Sequence, residues 1–229
     1  AATNLSQFNN DITVCTAIGK DKDLENKIKI FKKKFKTKIF VEKNKVTTRK
    51  KRFVDMGYNK KMSEVYFMDD NFLGKNNLKK ILSFLEKKTK DYDLVILLDY
   101  GHSFINSQIY NCLKKKSKFL AINCQTNSAN LGFNLITKYN KADYICIDEP
   151  ELRLATSNNK DDIEKVVSKN LFKKINCDNV TITIGQNGCF SYNNKKRLYV
   201  PAVISDKVID TIGAGDVFLV VSSLLYSIK

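Results

Sequence analysis

The stretch from Asp210 to Asp216 contains residue types that could bind an anion and move a proton. Gly213 and Gly215 flank the small Ala214, so the backbone can turn tightly there. The apolar run that follows predicts the start of a buried helix, whose first N–H groups and positive dipole end attract anions such as phosphate. Asp216 would lie beside that anion, where a carboxylate can take the proton from an attacking hydroxyl. The alternative interpretation is a glycine turn followed by an aspartate helix cap.

The complete string, Asp-Thr-x-Gly-Ala-Gly-Asp, resembles the signature of the ribokinase-like (PfkB) carbohydrate kinases. The resemblance implies that Asp216 is the catalytic base and that the amides of Gly213, Ala214 and Gly215 form the anion hole. It implies transfer of the ATP γ-phosphoryl group to a sugar or sugar-phosphate hydroxyl, with magnesium as cofactor. The implied fold is a three-layer α/β/α domain with a mostly parallel central sheet and a small β lid.

The elements that must position these residues follow the pattern of a parallel sheet. Apolar runs predict strands at 12–19, 38–41, 92–99, 118–123, 142–147 and 180–185, and apolar residues at helical spacing predict helices at 22–36 and 75–88. The strand, helix, strand order is typical of βαβ units. Because ligands bind at the carboxyl ends of parallel strands, Asp99 and Asn123 are expected to contact the substrate.

Residues 45–68 interrupt this order with two β-type runs that have no helix between them, which predicts a hairpin outside the main sheet. The sugar-phosphate members of the family have a lid with a Thr-x-x-Lys-x-Arg pattern, which Thr47, Lys50 and Arg52 resemble. The resemblance implies that these three residues bind the substrate. The alternative is a solvated hairpin whose charges keep a sheet edge soluble.

The Asp-Tyr-Gly sequence at 99–101 resembles a family motif, although His102 and Ser103 replace the usual Lys and Gly. No Cys or second His lies near His102, so we expect a turn residue near the substrate and not a metal ligand. The Gln-Thr-Asn sequence at 125–127 resembles a branch whose kinase domain is coupled to a nucleotidyltransferase. The closest resemblance is to the heptose-phosphate kinase half of bifunctional ADP-heptose synthases, which implies a fused or associated nucleotidyltransferase.

Two further motifs concern the nucleotide and the metal. Asp148 and Glu151 match the family's Asn-x-x-Glu, in which the Glu helps to order magnesium and phosphate, although Asp148 replaces the Asn. The alternative interpretation is an ordinary helix start, with Pro150 in the first turn and acidic residues near the positive end of the helix dipole. The sequence at 183–188 resembles the family's Thr-Leu-Gly-x-x-Gly nucleotide loop. The expected ATP-binding residues are Thr183, Gly185, Gly188 and Thr211.

Composition restricts the class of protein. The 229 residues include six cysteines with no C-x-x-C pair, which is typical of reduced thiols in a cytoplasmic protein. No apolar run approaches the roughly 20 residues of a membrane helix. The net charge of +16 is spread along the chain without a recognised nucleic-acid motif, so nucleic-acid binding is not favoured.

The resemblance covers the chain as one ribokinase-like domain, 1–229, and we expect this domain to be incomplete at both ends. Family members begin with a strand and a Gly-Gly-x-x-x-Asn sugar-binding segment, and they close the adenine pocket with elements beyond the last helix here. The isolated 229 residues are therefore expected to bind ATP weakly and turn over slowly. The other hypotheses are a catalytically silent kinase-shaped domain and a basic nucleic-acid-binding module. A homodimer formed through the lid is also expected.

Overall fold

The computed structural model describes residues 1–21, 24–55, 57–58, 60–69, 73–203 and 213–228. The strands in these ranges are β1 (Thr13–Gly19), β2 (Lys36–Glu42), β3 (Arg49–Asp55), β4 (Lys60–Phe67), β5 (Val95–Asp99), β6 (Leu120–Cys124), β7 (Tyr144–Asp148), β8 (Val180–Thr183), β9 (Cys189–Asn193) and β10 (Lys196–Val200). The helices are α1 (Ala2–Leu5), α2 (Glu25–Lys34), α3 (Lys75–Lys88), α4 (Ser107–Lys116), α5 (Glu149–Thr156), α6 (Ile163–Val166), α7 (Phe172–Lys174) and α8 (Ala214–Ser227). A π-helical stretch, Val167–Leu171, joins α6 to α7.

The main sheet has six strands in the order β10-β9-β8-β7-β6-β5. Strands β5 to β8 are parallel, and β9 and β10 continue the sheet as antiparallel strands. The four parallel strands are rich in buried aliphatic residues because helices cover both of their faces. The mostly parallel sheet of the predicted α/β fold is therefore confirmed, whereas β9 and β10 have no counterpart among the strands predicted from sequence.

Helices cover the two faces of the sheet and complete three layers. On one face α3, α4 and α5 contribute Ile81, Ile109 and Leu152 to the larger core cluster, which also contains Ile145 of β7. On the other face α8 brings Leu219 against a smaller cluster of Ala121, Tyr144 and Cys146. Each fully buried aliphatic side chain of this kind stabilises the fold by about 1.5–3 kcal/mol.

The lid is an antiparallel hairpin of β3 and β4, as predicted for residues 45–68. Its register places Lys50 opposite Tyr66 and Arg52 opposite Glu64. Since side chains alternate along a strand, these four residues share one face of the hairpin. Lys51, Phe53, Val65 and Phe67 belong to the other face.

β1 and β2 form a separate parallel pair, here called the ribbon. A cavity of about 890 Å³ separates β1 of the ribbon from β5 of the main sheet, and residues of both strands line it. In the described part of the chain, no backbone ladder joins β1 to β5. The ribbon is held to the main sheet by side chains, for example by the Tyr92 hydroxyl, which donates to Thr13 Oγ1 at 2.8 Å.

All six cysteines are free thiols, and Cys124, Cys146, Cys177 and Cys189 are buried. This agrees with the expectation of reduced, buried thiols. None of the helices in the described ranges has the length and apolar character that crossing a membrane requires.

The C-terminus of α5 offers a direct test of local backbone strain. Ser157 caps this helix in the left-handed conformation, with φ of 53°. A Cβ is unfavourable there, and glycine is the preferred residue at such a cap. We expect Ser157→Gly to raise the free energy of unfolding by about 0.5–1 kcal/mol, measured by urea denaturation. Ser157→Ala, which keeps the Cβ, is the control, and an equal gain in that variant would contradict the explanation.

Candidate active site

The N-terminus of α8 forms the centre of the site. Gly213 has φ of 83° and precedes the first residue of the helix, Ala214. Apart from chain neighbours and α8 itself, no atom of the described residues comes within 4 Å of the position that a Cβ would take on Gly213 or Gly215. The first N–H groups of this 14-residue helix are therefore accessible to an anion. Thr211, with the rest of 204–212, lies outside the described residues.

Asp216 lies in the first turn of α8, beside the carboxyl end of β5. The Tyr100 hydroxyl donates a hydrogen bond to Asp216 Oδ1 at 3.2 Å. Burial raises the pKa of Tyr100, and the negative charge of Asp216 raises it further. Tyr100 therefore stays protonated as a donor, and in the described part of the chain no hydrogen bond is made to the second carboxylate oxygen of Asp216. Asp216 was predicted from sequence, but its partner Tyr100 was not.

Packing on the sheet fixes the position of α8. Tyr226 stacks on Tyr144 of β7, with ring centroids 4.4 Å apart and 21° between the ring planes. The Tyr144 hydroxyl donates to Ser222 Oγ at 2.9 Å. These contacts connect the helix that carries Asp216 directly to a central strand.

Three residues predicted for the site, together with Asp148, lie at or near the carboxyl ends of adjacent strands. Parallel strands place these ends at the same edge of the sheet. Asp99 ends β5, Asn123 lies one residue before the end of β6, Asp148 ends β7 and Thr183 ends β8. The ladder between β7 and β8 pairs Asp148 with Thr183. The structure therefore brings these residues to the same edge of the sheet as Asp216.

The side chain of Asp99 faces the interior and is only 3% exposed. Its carboxylate accepts the Gly101 N–H at 2.9 Å and the Tyr139 hydroxyl at 2.5 Å, and it forms an ion pair with Lys138. These contacts hold the turn after β5. Contact between Asp99 and a substrate stays a prediction, and the geometry gives this carboxylate a structural role in addition.

Asn123 also has a partner within the protein. Its amide nitrogen donates to the Cys146 carbonyl at 2.8 Å, while its Oδ1 is buried without a hydrogen-bond partner among the described residues. Contact between Asn123 and a substrate stays a prediction.

The Gln-Thr-Asn segment belongs to a loop, 125–134, that is fixed by asparagine side chains. Asn127 and Asn130 both donate to the Tyr100 carbonyl, at 2.9 and 3.0 Å, and Asn134 donates to the Gln125 carbonyl at 3.0 Å. Gly101 is needed beside this loop because a Cβ there would approach Asn130 Nδ2 to 2.0 Å. Ser103 has φ of 59°, a conformation that favours the glycine found at this position in the family motif.

Glu151 and Asp148 form a reciprocal cap at the start of α5. Asp148 accepts the Glu151 N–H at 2.8 Å, and Glu151 Oε2 accepts the Asp148 N–H at 3.0 Å. Glu151 Oε1 accepts the Thr126 N–H, also at 3.0 Å. Burial and then the charge of Asp148 raise the pKa of Glu151 to about 7, with a smaller contribution from Asp216. The carboxylates of Asp148 and Asp216 are thus close enough to Glu151 to raise its pKa.

The Glu151 carboxylate could help to order a magnesium ion. Each of its carboxylate oxygens accepts one N–H and retains a second lone pair. Magnesium usually keeps several waters and is held by one or two carboxylates together with substrate phosphates. Within the described ranges, no group of three or more His, Cys, Asp or Glu side chains could hold a metal by itself. A role for Glu151 in ordering magnesium stays a prediction.

The predicted nucleotide loop follows β8 as a single 3₁₀ turn, Gly185–Asn187. Gly185 has φ of 59°, and among the described residues nothing comes within 4 Å of the position of its missing Cβ. Gly188 has φ of 91°, and a Cβ there would lie 2.1 Å from the Val200 carbonyl oxygen. Gly188 is thus required by the chain's own packing. The role of this loop in binding ATP stays a prediction.

The inner face of the lid is directed toward the loop of residues 125–134. Lys50 Nζ lies 3.0 Å and Arg52 Nε 3.6 Å from Glu64 Oε2, and Ser128 donates to Glu64 Oε1 at 2.5 Å. Hydrogen bonds from Ser128 and then from Lys50, Tyr66 and Lys61 lower the pKa of Glu64 to about 2. Glu64 and Ser128 were not predicted from sequence, where the only signal was an acid within a basic hairpin.

Thr47 and His102 occupy the margins of this region. Thr47 Oγ1 accepts the Gly19 N–H at 2.9 Å and the Thr47 N–H donates to Asp21 at 2.8 Å, so Thr47 anchors the base of the lid. The His102 ring centroid is 6.2 Å from that of Tyr66. Burial lowers the pKa of His102, against the opposing effect of Asp99. His102 lies in the bend after β5, and its expected position near the substrate stays a prediction.

Together these features define an α/β protein with an exposed helix N-terminus, an adjacent carboxylate and a charged lid at one edge of the sheet. The family described as pfkB family carbohydrate kinase matches residues 1–228, and the chain belongs to this family.

The curated relatives include the bifunctional protein HldE of Aliarcobacter butzleri, which is 24% identical over 234 residues covering 98% of this chain and 46% of the relative. The bifunctional protein HldE of a Nitratiruptor species is 23% identical over 222 residues, covering 94% of this chain and 45% of the relative. The chain therefore spans about half the length of these relatives.

Solved structures of kinases share the fold. Phosphofructokinase-2 from Escherichia coli in complex with fructose-6-phosphate has a TM-score of 0.69 at 12% identity, with 99% of this chain and 73% of that chain covered. Ribokinase from Giardia lamblia has a TM-score of 0.68 at 16% identity, covering 95% and 70%. A Burkholderia thailandensis nucleoside kinase in complex with inosine has a TM-score of 0.65 at 17% identity, covering 99% and 70%. These comparisons confirm the ribokinase-like fold expected from the sequence.

Proposed function

We propose that this protein transfers the γ-phosphoryl group of ATP to a hydroxyl of a sugar or sugar phosphate. The observation that carries the proposal is the position of Asp216 in the first turn of α8, next to accessible N–H groups and beside the strand ends. A hydroxyl placed between Asp216 and the γ-phosphate would lose its proton to the carboxylate. The amides at 213–215 would stabilise the charge that develops on the transferred group.

The remaining edge residues support binding of the nucleotide. Thr183, Gly185 and Gly188 form the turn after β8, and with Thr211 they are our proposed ATP-binding residues. Magnesium, when bound, would neutralise phosphate charge. Glu151 is our proposed residue for ordering that cation and its water, because its carboxylate retains free lone pairs.

We favour a phosphorylated, heptose-phosphate-like acceptor. Lys50 and Arg52 present two cations on the inner face of the lid, and charge-assisted contacts to phosphate are strong. The two bifunctional relatives and the resemblance of the Gln-Thr-Asn segment support this substrate class and a fused or associated nucleotidyltransferase. A cytoplasmic location suits the free, largely buried thiols.

The outer face of the lid is our proposed homodimer contact. Phe53, Val65 and Phe67 lie on this face and are 53%, 43% and 41% exposed. Aromatic and aliphatic side chains in a row on a two-stranded hairpin leave an apolar strip that a second lid could cover.

Measuring ATP consumption by the full-length natural protein against a panel of sugars, phosphosugars and nucleosides tests the function. Saturable turnover that requires a phosphosugar supports the proposal. ATP binding without turnover on any acceptor would instead identify a catalytically silent kinase-fold domain. Tight, salt-sensitive binding to nucleic acid without turnover would favour the basic binding module.

A further inference from the structure

Glu64 is a carboxylate surrounded by cations on the inner face of the lid. Its side chain is 10% exposed, and Lys50, Arg52 and Lys61 place nitrogen atoms 3.0, 3.6 and 3.3 Å from Oε2. Three positive charges this close repel one another unless an anion lies between them. Strand alternation places Lys50 and Arg52 on one face of the hairpin, and Glu64 holds their charged groups close to each other there.

The same carboxylate joins the lid to the body of the protein. Ser128, in the loop of residues 125–134, donates to Glu64 Oε1 at 2.5 Å, and the Tyr66 hydroxyl donates to this oxygen at 3.0 Å. The hydroxyls of Tyr66 and Ser128 are 3.3 Å apart. Glu64, Tyr66 and Ser128 thus form a small network, here called the latch, between parts of the chain 64 residues apart.

We propose that Glu64 is a positioning residue that fastens the lid to Ser128 and presents Lys50 and Arg52 to the phosphate group of the acceptor. The second half of this statement rests on the proposed function. With Lys61 included, the cluster has three positive charges and one negative charge, so it can accept a phosphate as a second anion. Without Glu64 the charged groups of Lys50 and Arg52 would move apart, and the lid would lose the hydrogen bond that Ser128 donates to it.

The latch matters because a two-stranded hairpin is marginally stable by itself in water. The hairpin of β3 and β4 is a sheet of two strands, so contacts with the body must support it. Loss of the latch should therefore increase opening of the hairpin without unfolding the main sheet.

Hydrogen exchange of the substrate-free, full-length protein tests the latch directly. In Glu64→Gln and in Ser128→Ala, we expect the amides of 49–55 and 61–67 to exchange about five- to ten-fold faster, since the first variant removes the charge that strengthens the hydrogen bond and the second removes its donor. Amides of β6 and β7 should keep their parent rates. Asp178→Asn is the matched control, because Asp178 forms an exposed ion pair with Lys195 at 3.1 Å. Unchanged lid exchange in both latch variants would overturn the proposal.

Steady-state kinetics test whether Glu64 holds Lys50 and Arg52 in position to bind the phosphate group of the acceptor. Glu64→Gln should raise the KM for a phosphosugar about ten-fold, with the KM for ATP unchanged and kcat within about three-fold of the parent. An unchanged or lower phosphosugar KM would overturn this half of the proposal. A parent protein that turns over no acceptor would refute the proposed function alone, because the exchange experiment needs no substrate.

Discussion

Replacing Asp216 with asparagine should lower kcat by about 10²- to 10⁴-fold, the usual contribution of a positioned general base. Asparagine has nearly the same shape and can still accept the hydrogen bond that Tyr100 donates at 3.2 Å, but it cannot take a proton. Removal of the negative charge also reduces repulsion of phosphate at the start of α8. ATP binding should therefore stay within a few-fold of the parent or become slightly tighter.

Single-turnover kinetics with saturating ATP and acceptor measure this effect, and calorimetry measures the affinity for ATP. The matched control is Asp91→Asn, which removes an exposed carboxylate paired with Lys88 at 3.0 Å. This control should keep the parent kcat. An Asp216→Asn enzyme that retains kcat within a few-fold of the parent would exclude the base role.

Replacing Arg52 with alanine should raise the KM for a phosphosugar by about 10- to 100-fold, the equivalent of about 1.5–3 kcal/mol for a charge-assisted contact. Arg52 lies on the inner face of the lid, with its side chain 37% exposed. Its guanidinium can therefore reach a ligand while Glu64 holds it. The KM for ATP should change little, because the expected nucleotide loop follows β8 at another part of the sheet edge.

Lys51→Ala provides the control within the same strand. Lys51 precedes Arg52 and lies on the outer face of the lid, where it contacts the Phe67 ring. Its loss changes net charge by the same amount as the loss of Arg52. A general electrostatic effect would raise the phosphosugar KM equally in both variants, whereas a specific contact affects only Arg52→Ala. Equal effects would instead support the alternative that the charges of the hairpin only keep a sheet edge soluble.

Features that depend on local sequence were predictable. The apolar strands around Ile96, Ile122 and Ile145 were expected near their observed positions because alternating helices and buried strands leave a strong periodic pattern. The helix after Gly213 was expected because small residues precede a long apolar run. The hairpin at 45–68 followed from two β-type runs without a helix between them.

Features that depend on long-range packing were not predictable. Substrate contact by Asp99 stays a prediction, and the sequence did not show that its carboxylate turns inward to Tyr139 and Lys138. ATP binding at Gly188 also stays a prediction, and the sequence did not show that the backbone of Val200 lies against this glycine. No pattern in the sequence connects Glu64 with Ser128, because their contact exists only when the lid lies over the loop. β9 and β10 were not predicted because their residues, Cys-Phe-Ser-Tyr-Asn and Lys-Arg-Leu-Tyr-Val, lack the aliphatic runs of the central strands.

The base of the lid is attached to the ribbon of β1 and β2, since Thr47 accepts the Gly19 N–H at 2.9 Å and donates its own N–H to Asp21 at 2.8 Å. A displacement at the end of β1 would therefore be transmitted to the hairpin that carries Lys50 and Arg52. A mutation such as Thr47→Val, which removes the hydroxyl contact, would then shift both cations while removing neither of them.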